Sequence, residues 1–310
     1  MEQRLNELLM LALKNHATDI HFTLKPDSVL IELRINKKLY SVKPKENDQQ
    51  FYRYLMYRAN LDLALRSMPQ TGNFALKLEG QKIALRFACL NAPNISCGVL
   101  RLLNNHEKLQ LEDLSYDRQI INHLKQVCQL TCGLVIFSGP TSSGKTTTLY
   151  TLLQHIQHKK IYTLEDPIEV YDDHYVQLQI NEANNFSYAQ GIKQLMRHDP
   201  DIIMIGEIRD EIAAKMAVRC ALTGHLVFTT IHASNCLLAI ERMLELDVPS
   251  LQLKDSLSYV FNQRLMESFE GFTGIYEVLD PAEIAYFFNH KSLPIDHETM
   301  EDKLAKSNNY

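Results

Sequence analysis

No run in this 310-residue sequence approaches the ~20 consecutive apolar residues that span a bilayer. The first apolar stretch, Leu8 to Leu13, stops at Lys14 and follows Glu2 and Glu7, flanks that do not suit a signal peptide. Leu5, Leu8, Leu9 and Ala12 fall instead on one face of an amphipathic helix. A cytosolic protein is expected. Glycine and proline are few, 11 and 10 residues, and neither an internal repeat nor a low-complexity tract occurs, so the composition is that of an ordinary globular chain. The cysteines at 89, 97, 128, 132, 220 and 236 contain no C-x-x-C pair, which speaks against a zinc site and for buried, reduced thiols. Positive charge is not in excess. Lys and Arg number 32 against 37 Asp and Glu, a net charge of −5. That balance argues against a protein whose main work is neutralising nucleic-acid phosphates, although it leaves room for a local basic patch.

The length allows one large or two ordinary domains. Residues 1–105 read as a smaller α+β domain. Asp19 to Phe22 and Val29 to Ile35 are strand-like runs separated by a turn at Lys25 to Ser28, and Asn36 to Lys38 reads as another turn. Phe51 to Leu65 has an imperfect helical period. Phe74 to Leu78, Gln81 to Ala88 and Gly98 to Leu103 are strand-like again, the first two joined by Glu79-Gly80. Asn104 to Gln110 is polar and aperiodic and is expected to link this domain to the second, 106–310. There, apolar runs at Leu134 to Phe137, Ile161 to Leu164, Val176 to Ile180, Ile202 to Ile205 and Leu226 to Ile231 are mostly separated by helical segments. Such continuous runs predict an α/β domain with a parallel sheet covered on both faces.

Gly139-Pro-Thr-Ser-Ser-Gly144-Lys145-Thr146 fits the phosphate-binding pattern G-x-x-x-x-G-K-[ST], between a predicted strand and a helix predicted from Lys145 to about His158. Its glycines let backbone N–H groups curl around phosphates, and the helix offers its positive end to them. Gly139, Pro140, Thr141, Ser142, Ser143, Gly144, Lys145, Thr146 and Thr147 are thus the expected ATP-binding residues. Lys145 would reach the β and γ phosphates, and the Thr146 hydroxyl would ligate magnesium. Asp201-Ile-Ile-Met-Ile-Gly206-Glu207 has the Walker B form with the acid displaced by one residue. Glu207 is then the candidate for orienting or activating water, and the magnesium shell needs completion from elsewhere. Glu165 and Asp166, at the end of another predicted strand, are the candidates; alone they would read as a solvated strand end. His225 and His232 flank the run Leu226 to Ile231. Either His232 or Thr229 is placed to sense the γ phosphate, although a lone histidine more often belongs to a core or surface.

Four segments in this order resemble the Walker A, Asp box, Walker B and His box of the type II secretion and type IV pilus ATPases. They are Gly139 to Thr146, Glu165 to Glu169, His198 to Asp210 and Thr223 to His232. Ala17-Thr-Asp-Ile-His21, Pro69-Gln-Thr-Gly72, Leu85-Arg86-Phe87, Val99 to Leu103 and Gln263-Arg-Leu265 are similar to further family segments, so the resemblance covers about residues 17–279. It implies a PAS-like N-terminal domain, a RecA-like P-loop ATPase domain, ATP and Mg2+ as ligands, and a homohexamer. It further implies a polytopic membrane platform protein as partner, with the ATPase held peripherally at the inner face of the membrane and no direct contact to nucleic acid. Arg86 and Arg101 match family arginines that reach the nucleotide from the N-terminal domain; their plain alternative is solvated strand charge. Ser142 stands where the family usually has glycine. A four-cysteine module between Gln263 and Phe272, an A-I-R-N-type C-terminal motif and a further domain before Ala17 are all missing from the pattern. Together these departures resemble the competence branch in Gram-positive bacteria, which energises a pseudopilus for DNA uptake. Secretion, pilus retraction, a RecA-like nucleic-acid translocase and a binding-only switch are the alternatives.

Overall fold

A computed structural model describes residues 1–307 apart from 37, 65–67, 104–108, 182–185 and 269–270. The chain divides into two compact units: Met1–Glu107 with Glu169–Tyr171, and Lys108–Ile168 with Asp172–Tyr310. Most of the expected linker, Asn104 to Gln110, lies outside the described residues.

In the first unit, helix α1 (Glu2–Lys14) buries Leu5, Leu8, Leu9 and Ala12, one stripe at helical spacing. Strands β1 (Asp19–Lys25), β2 (Ser28–Ile35), β3 (Lys38–Val42), β4 (Gln70–Leu78), β5 (Gln81–Ala92) and β6 (Ile95–Leu102) form an antiparallel sheet in the order β3-β2-β1-β6-β5-β4. Helix α2 (Asp48–Arg58) packs Phe51 and Tyr52 into a ring cluster with Phe22 and Phe87, with centroids 5.4 to 6.4 Å apart. Gly98 permits this approach, since a Cβ there would lie 2.6 Å from the Tyr52 ring. The helix is shorter than the predicted Phe51 to Leu65. It begins at Asp48, a buried carboxylate held by Arg4 and the Lys45 N–H. It ends where Asn60 turns left-handed at φ 56.

The second unit begins with a one-turn helix at Leu111–Asp113 and α3 (Arg118–Val127). It continues through β7 (Gly133–Ser138), α4 (Lys145–His155), β8 (Ile161–Glu165), β9 (Val176–Gln179), α5 (Tyr188–Leu195) and β10 (Ile202–Ile205). Then come α6 (Glu211–Leu222), β11 (Leu226–Ile231), α7 (Cys236–Glu245), α8 (Ser250–Ser256), β12 (Leu257–Ser268), β13 (Gly271–Leu279), α9 (Pro281–His290) and α10 (Met300–Ser307). The sheet order is β13-β12-β7-β11-β10-β8-β9, and every pairing from β12 to β9 is parallel. Strands β7, β8, β10 and β11 are buried at every position, which is why they read as continuous apolar runs. Two details differ from the expectation. The edge strand β13 runs antiparallel, and α4 stops at His155 because Ile156 is extended and His158 adopts φ 59. The cysteines are free thiols; Cys89, Cys220 and Cys236 are buried, but Cys132 is exposed. Among the described residues no helix is long and apolar enough to cross a membrane.

Candidate nucleotide site

The loop between β7 and α4 turns through three left-handed residues: Gly139 (φ 140), Ser142 (φ 63) and Gly144 (φ 88). At two of them space as well as φ demands glycine. A Cβ on Gly139 would lie 2.4 Å from Gln263 O, and one on Gly144 would lie 2.8 Å from Gln263 Nε2. Gly144 is the N-cap of α4 and provides no side-chain acceptor, so the first-turn N–H groups of the helix stay available to an anion. Ser143 Oγ is buried without a hydrogen-bond partner. An orphaned hydroxyl of this kind costs stability unless a ligand oxygen meets it. Lys145 Nζ donates to Gly139 O at 2.9 Å and Pro140 O at 2.8 Å, so its ammonium arcs over the mouth of the loop. Gly139 to Thr147 therefore fit a polyphosphate chain: the uncapped start of α4 and the unpartnered Ser143 hydroxyl supply donors, and a Cβ at Gly139 or Gly144 would run into Gln263.

The acidic segments converge beyond the ends of β8 and β10. A side chain at Gly206 would crowd Leu164 O, 3.1 Å from its Cβ position, and the carboxylate emerges one residue later at Glu207. Both Glu207 oxygens are engaged: Arg209 Nε donates to Oε2 at 2.7 Å, and His232 Nε2 lies 2.9 Å from Oε1. Arg209 Nη1 also donates to Asp166 Oδ2 at 3.3 Å. Glu207 beside it pushes the Arg209 pKa above its ordinary value, so this link stays charged. Asp210, the last residue of the segment, has a different task. It caps α6 by accepting from Ala213 N.

Glu165 does not join this cluster in the structure. Its carboxylate is buried and accepts from Tyr150 OH on both oxygens at 2.7 Å, from Thr163 Oγ1 at 2.6 Å and from Gln177 Nε2 at 3.3 Å. Those donors occupy the oxygens that the sequence reading assigned to magnesium. Asp166 and Thr146 are the more accessible oxygen donors. Two such donors fit a cation held mostly by phosphate oxygens and water.

The two histidines part company. His232 lies past the C-terminal end of β11, at Glu207. His225 stands at the other end, where its Nδ1 is 3.1 Å from Cys220 O at the close of α6. Thr229 is fully buried, whereas its neighbour Thr230 donates to Gly206 O at 2.6 Å and so joins β11 to the Glu207 segment. Arg264 was quoted in the sequence without a role. Its Nη1 lies 3.4 Å from the Gly139 Cβ position, and its Nη2 donates to Ser234 O at 2.8 Å, just after His232. Only sheet order, which sets β12 beside β7, brings it there. In the first unit, Arg86 and Arg101 are direct cross-strand partners on β5 and β6, and Arg101 Nε donates to Asp19 Oδ1 at 2.7 Å.

Known proteins resemble this chain in sequence and in fold. Residues 1–282 match the family described as Type II/IV secretion system protein. The chain is 38% identical over 267 residues to competence protein ComGA of Halalkalibacterium halodurans, covering 84% of this chain and 76% of that one. It is 35% identical over 269 residues to type II secretion system protein E of Pectobacterium carotovorum, covering 85% of this chain and 54% of that one. Among solved structures, the pilus retraction motor PilT with bound ADP superposes with a TM-score of 0.77 at 25% identity, over 98% of this chain and 92% of that chain. Family match, phosphate loop and ordered boxes agree: the chain belongs to the Type II/IV secretion system protein family.

Proposed function

We propose that the chain is an ATP hydrolase whose turnover drives assembly of a competence pseudopilus, a type IV pilus-like machine for DNA uptake. The carrying observation is that the cradle at Gly139 to Thr147 and the Glu207 carboxylate stand at the same, C-terminal edge of one parallel sheet. Ligands of open α/β sheets bind at that edge. The 38% identity to a protein named for competence supports the choice of system.

In this reading the second unit is RecA-like and the first PAS-like. Lys145 leaves the loop carbonyls for the β and γ phosphates, and the N–H groups of Gly139 to Thr147 hold the remaining oxygens. Thr146 and Asp166 would hold Mg2+, which when bound neutralises phosphate charge. Glu207, steered by Arg209 and His232, orients the attacking water. Glu165 braces the end of β8 that presents Asp166. Arg86 and Arg101 bring guanidinium charge from the N-terminal unit. Copies assemble as a homohexamer on a polytopic platform protein at the inner face of the membrane. Retraction or type II secretion is the second reading, favoured by the PilT-like fold over nearly the whole chain.

Binding and turnover assays on the full chain test the site. Lys145→Ala should lose ATP binding, and Glu207→Gln should keep binding while turnover falls by at least about 100-fold. Turnover at the wild-type rate in Glu207→Gln overturns the water-orienting role. Returned to a transformable host, both variants should abolish DNA uptake; intact uptake removes the competence role. Strong stimulation by DNA alone would favour the translocase.

A further inference from the structure

Two side chains of β12, Asn262 and Arg264, tie the segment after β11 to the root of the phosphate loop. The register runs from Ile231 to Ser138 to Asn262 across β11, β7 and β12. Past Ile231 the chain passes through His232, Ala233 and Ser234 to Asn235, the N-cap of α7. Asn262 is fully buried. Its Nδ2 donates to Ser138 Oγ at 2.8 Å and to Ala233 O at 3.0 Å, and its Oδ1 accepts from Arg264 Nη1 at 2.9 Å. Both amide hydrogens are thereby used. The Ser138 hydroxyl gives its own hydrogen to Phe261 O at 3.1 Å, so it accepts from Asn262, and the amide has one orientation. Arg264 repeats the grip one carbonyl further on. Its Nη2 donates to Ser234 O at 2.8 Å, while Nη1 also reaches Gln263 O at 3.1 Å.

Ser138 is the residue before Gly139, where the phosphate loop begins. The two carbonyls that follow His232 are therefore held by donors rooted beside that loop. The His232 side chain itself is 56% exposed and reaches Glu207 Oε1 at 2.9 Å, so the backbone behind it decides where the imidazole stands. A hydrogen bond near 3 Å has little slack, and a displacement of Ser138 is passed through the Asn262 amide to Ala233.

We infer that Asn262 and Arg264 are positioning residues for turnover: by holding Ala233 and Ser234 to the root of the phosphate loop, they fix the place from which His232 steers the Glu207 carboxylate. This rests on the nucleotide site proposed above. The Arg264 charge close to Gly139 suggests a rival role, direct attraction of phosphate, and the two roles predict different kinetics.

A double-mutant cycle read by phosphate release, beside ATP titration of the full chain, tests the link. Leucine replaces asparagine at similar volume without its hydrogen bonds. Asn262→Leu should lower kcat by about 10- to 100-fold at unchanged ATP Kd, and in the His232→Ala background it should lower kcat by less than about twofold more. Multiplicative losses overturn the link, because Asn262 would then act independently of His232. Wild-type turnover in Asn262→Leu overturns it as well. Arg264→Lys keeps the charge but loses the fork that spans Asn262 Oδ1 and Ser234 O, and it should show the same loss of kcat at constant Kd. Should Asn262→Leu fail to fold, Arg264→Lys carries the same cycle with His232→Ala. Wild-type turnover in Arg264→Lys, or a rise in Kd at constant kcat, overturns the positioning role. A wild-type chain that neither binds nor hydrolyses ATP overturns the nucleotide reading, and the positioning role with it.

Discussion

His232 Nε2 lies 2.9 Å from Glu207 Oε1, which ties the segment after β11 to the segment after β10. Arg209 takes the other oxygen, so the carboxylate has one orientation rather than a range. The shared carboxylate joins the segment at Glu207 and the segment at His232 into one unit of the candidate site.

Loosening that carboxylate should slow chemistry without weakening binding. Misplacing a reacting group by about 1 Å costs on the order of 100-fold in rate. His232→Ala and Arg209→Ala should each lower kcat by about 10- to 100-fold with little change in ATP affinity. Steady-state phosphate release beside equilibrium titration checks this. A rise in Kd at constant kcat would place both residues in binding instead.

Glu165 should prove structural. Glu165→Ala removes the acceptor shared by Tyr150 OH and the Thr163 hydroxyl in a buried site, whereas the Gln177 amide keeps its bond to Tyr150 OH at 2.9 Å. Buried groups left unpaired cost about 1–3 kcal/mol each, so a stability loss of about 3 kcal/mol is expected. Tyr150→Phe should cost about 1 kcal/mol. In Glu165→Gln, the Mg2+ concentration giving half-maximal turnover should stay where it is in the wild type. A shift to higher Mg2+ would make Glu165 a ligand after all.

The legible parts of the chain were those with a local signature. Strands β7, β8, β10 and β11 are buried throughout and read as apolar runs, and the phosphate loop carries its own spacing. Strand β3 had no such mark, because Lys38 to Ser41 are all exposed and Val42 only partly buried. The boundaries of α2 depended on Arg4 reaching Asp48 and on the turn at Asn60, contacts no helical period encodes. At the site, His225 and His232 looked equivalent in sequence. A six-residue strand separates them by roughly 20 Å, and its polarity sends only His232 to the site. The partners that hold the Glu165 carboxylate, Tyr150 and Gln177, come from α4 and β9, so the sequence around Glu165 carries no sign of them. Arg264 was opaque for a related reason: β12 follows β7 by more than a hundred residues yet lies beside it.

Ser142 holds a left-handed conformation at φ 63, where an L side chain costs about 1–2 kcal/mol. Ser142→Gly relieves that cost but adds freedom to the unfolded chain, worth about 0.5–1 kcal/mol, so stability should change little. Ser142→Val should lose about 1–2 kcal/mol and weaken ATP binding, since a β-branched residue resists this φ. Denaturant midpoints and nucleotide titration of the pair provide the check. Equal behaviour of the two variants would show that the loop tolerates either hand at this position.

The last prediction concerns pH and lies away from the site. The His297 side chain is buried between two carboxylates: Nδ1 is 2.7 Å from Glu283 Oε1, and Nε2 is 3.3 Å from Glu277 Oε1. Burial alone would lower its pKa, but hydrogen bonds to Glu277 and Glu283 override it and push the group up to about 9. The folded value therefore lies above the ordinary histidine value of ~6.5. A raised pKa means that the folded chain holds the proton more tightly, so this stabilisation is complete below about pH 6.5 and fades as pH rises through 9. Its size is on the order of 3 kcal/mol. Urea midpoints of the wild type should accordingly fall between about pH 6 and about pH 9.5, and His297→Ala should flatten that part of the curve while lowering stability most at the acid end. Glu277 also accepts from the Cys236 N–H at 3.2 Å, at the start of α7, so the loss of the His297 charge removes a cation from beside this buried carboxylate. If the wild type and His297→Ala show parallel pH profiles, the histidine is not the titrating group, and the buried pairing does not contribute to stability in this range.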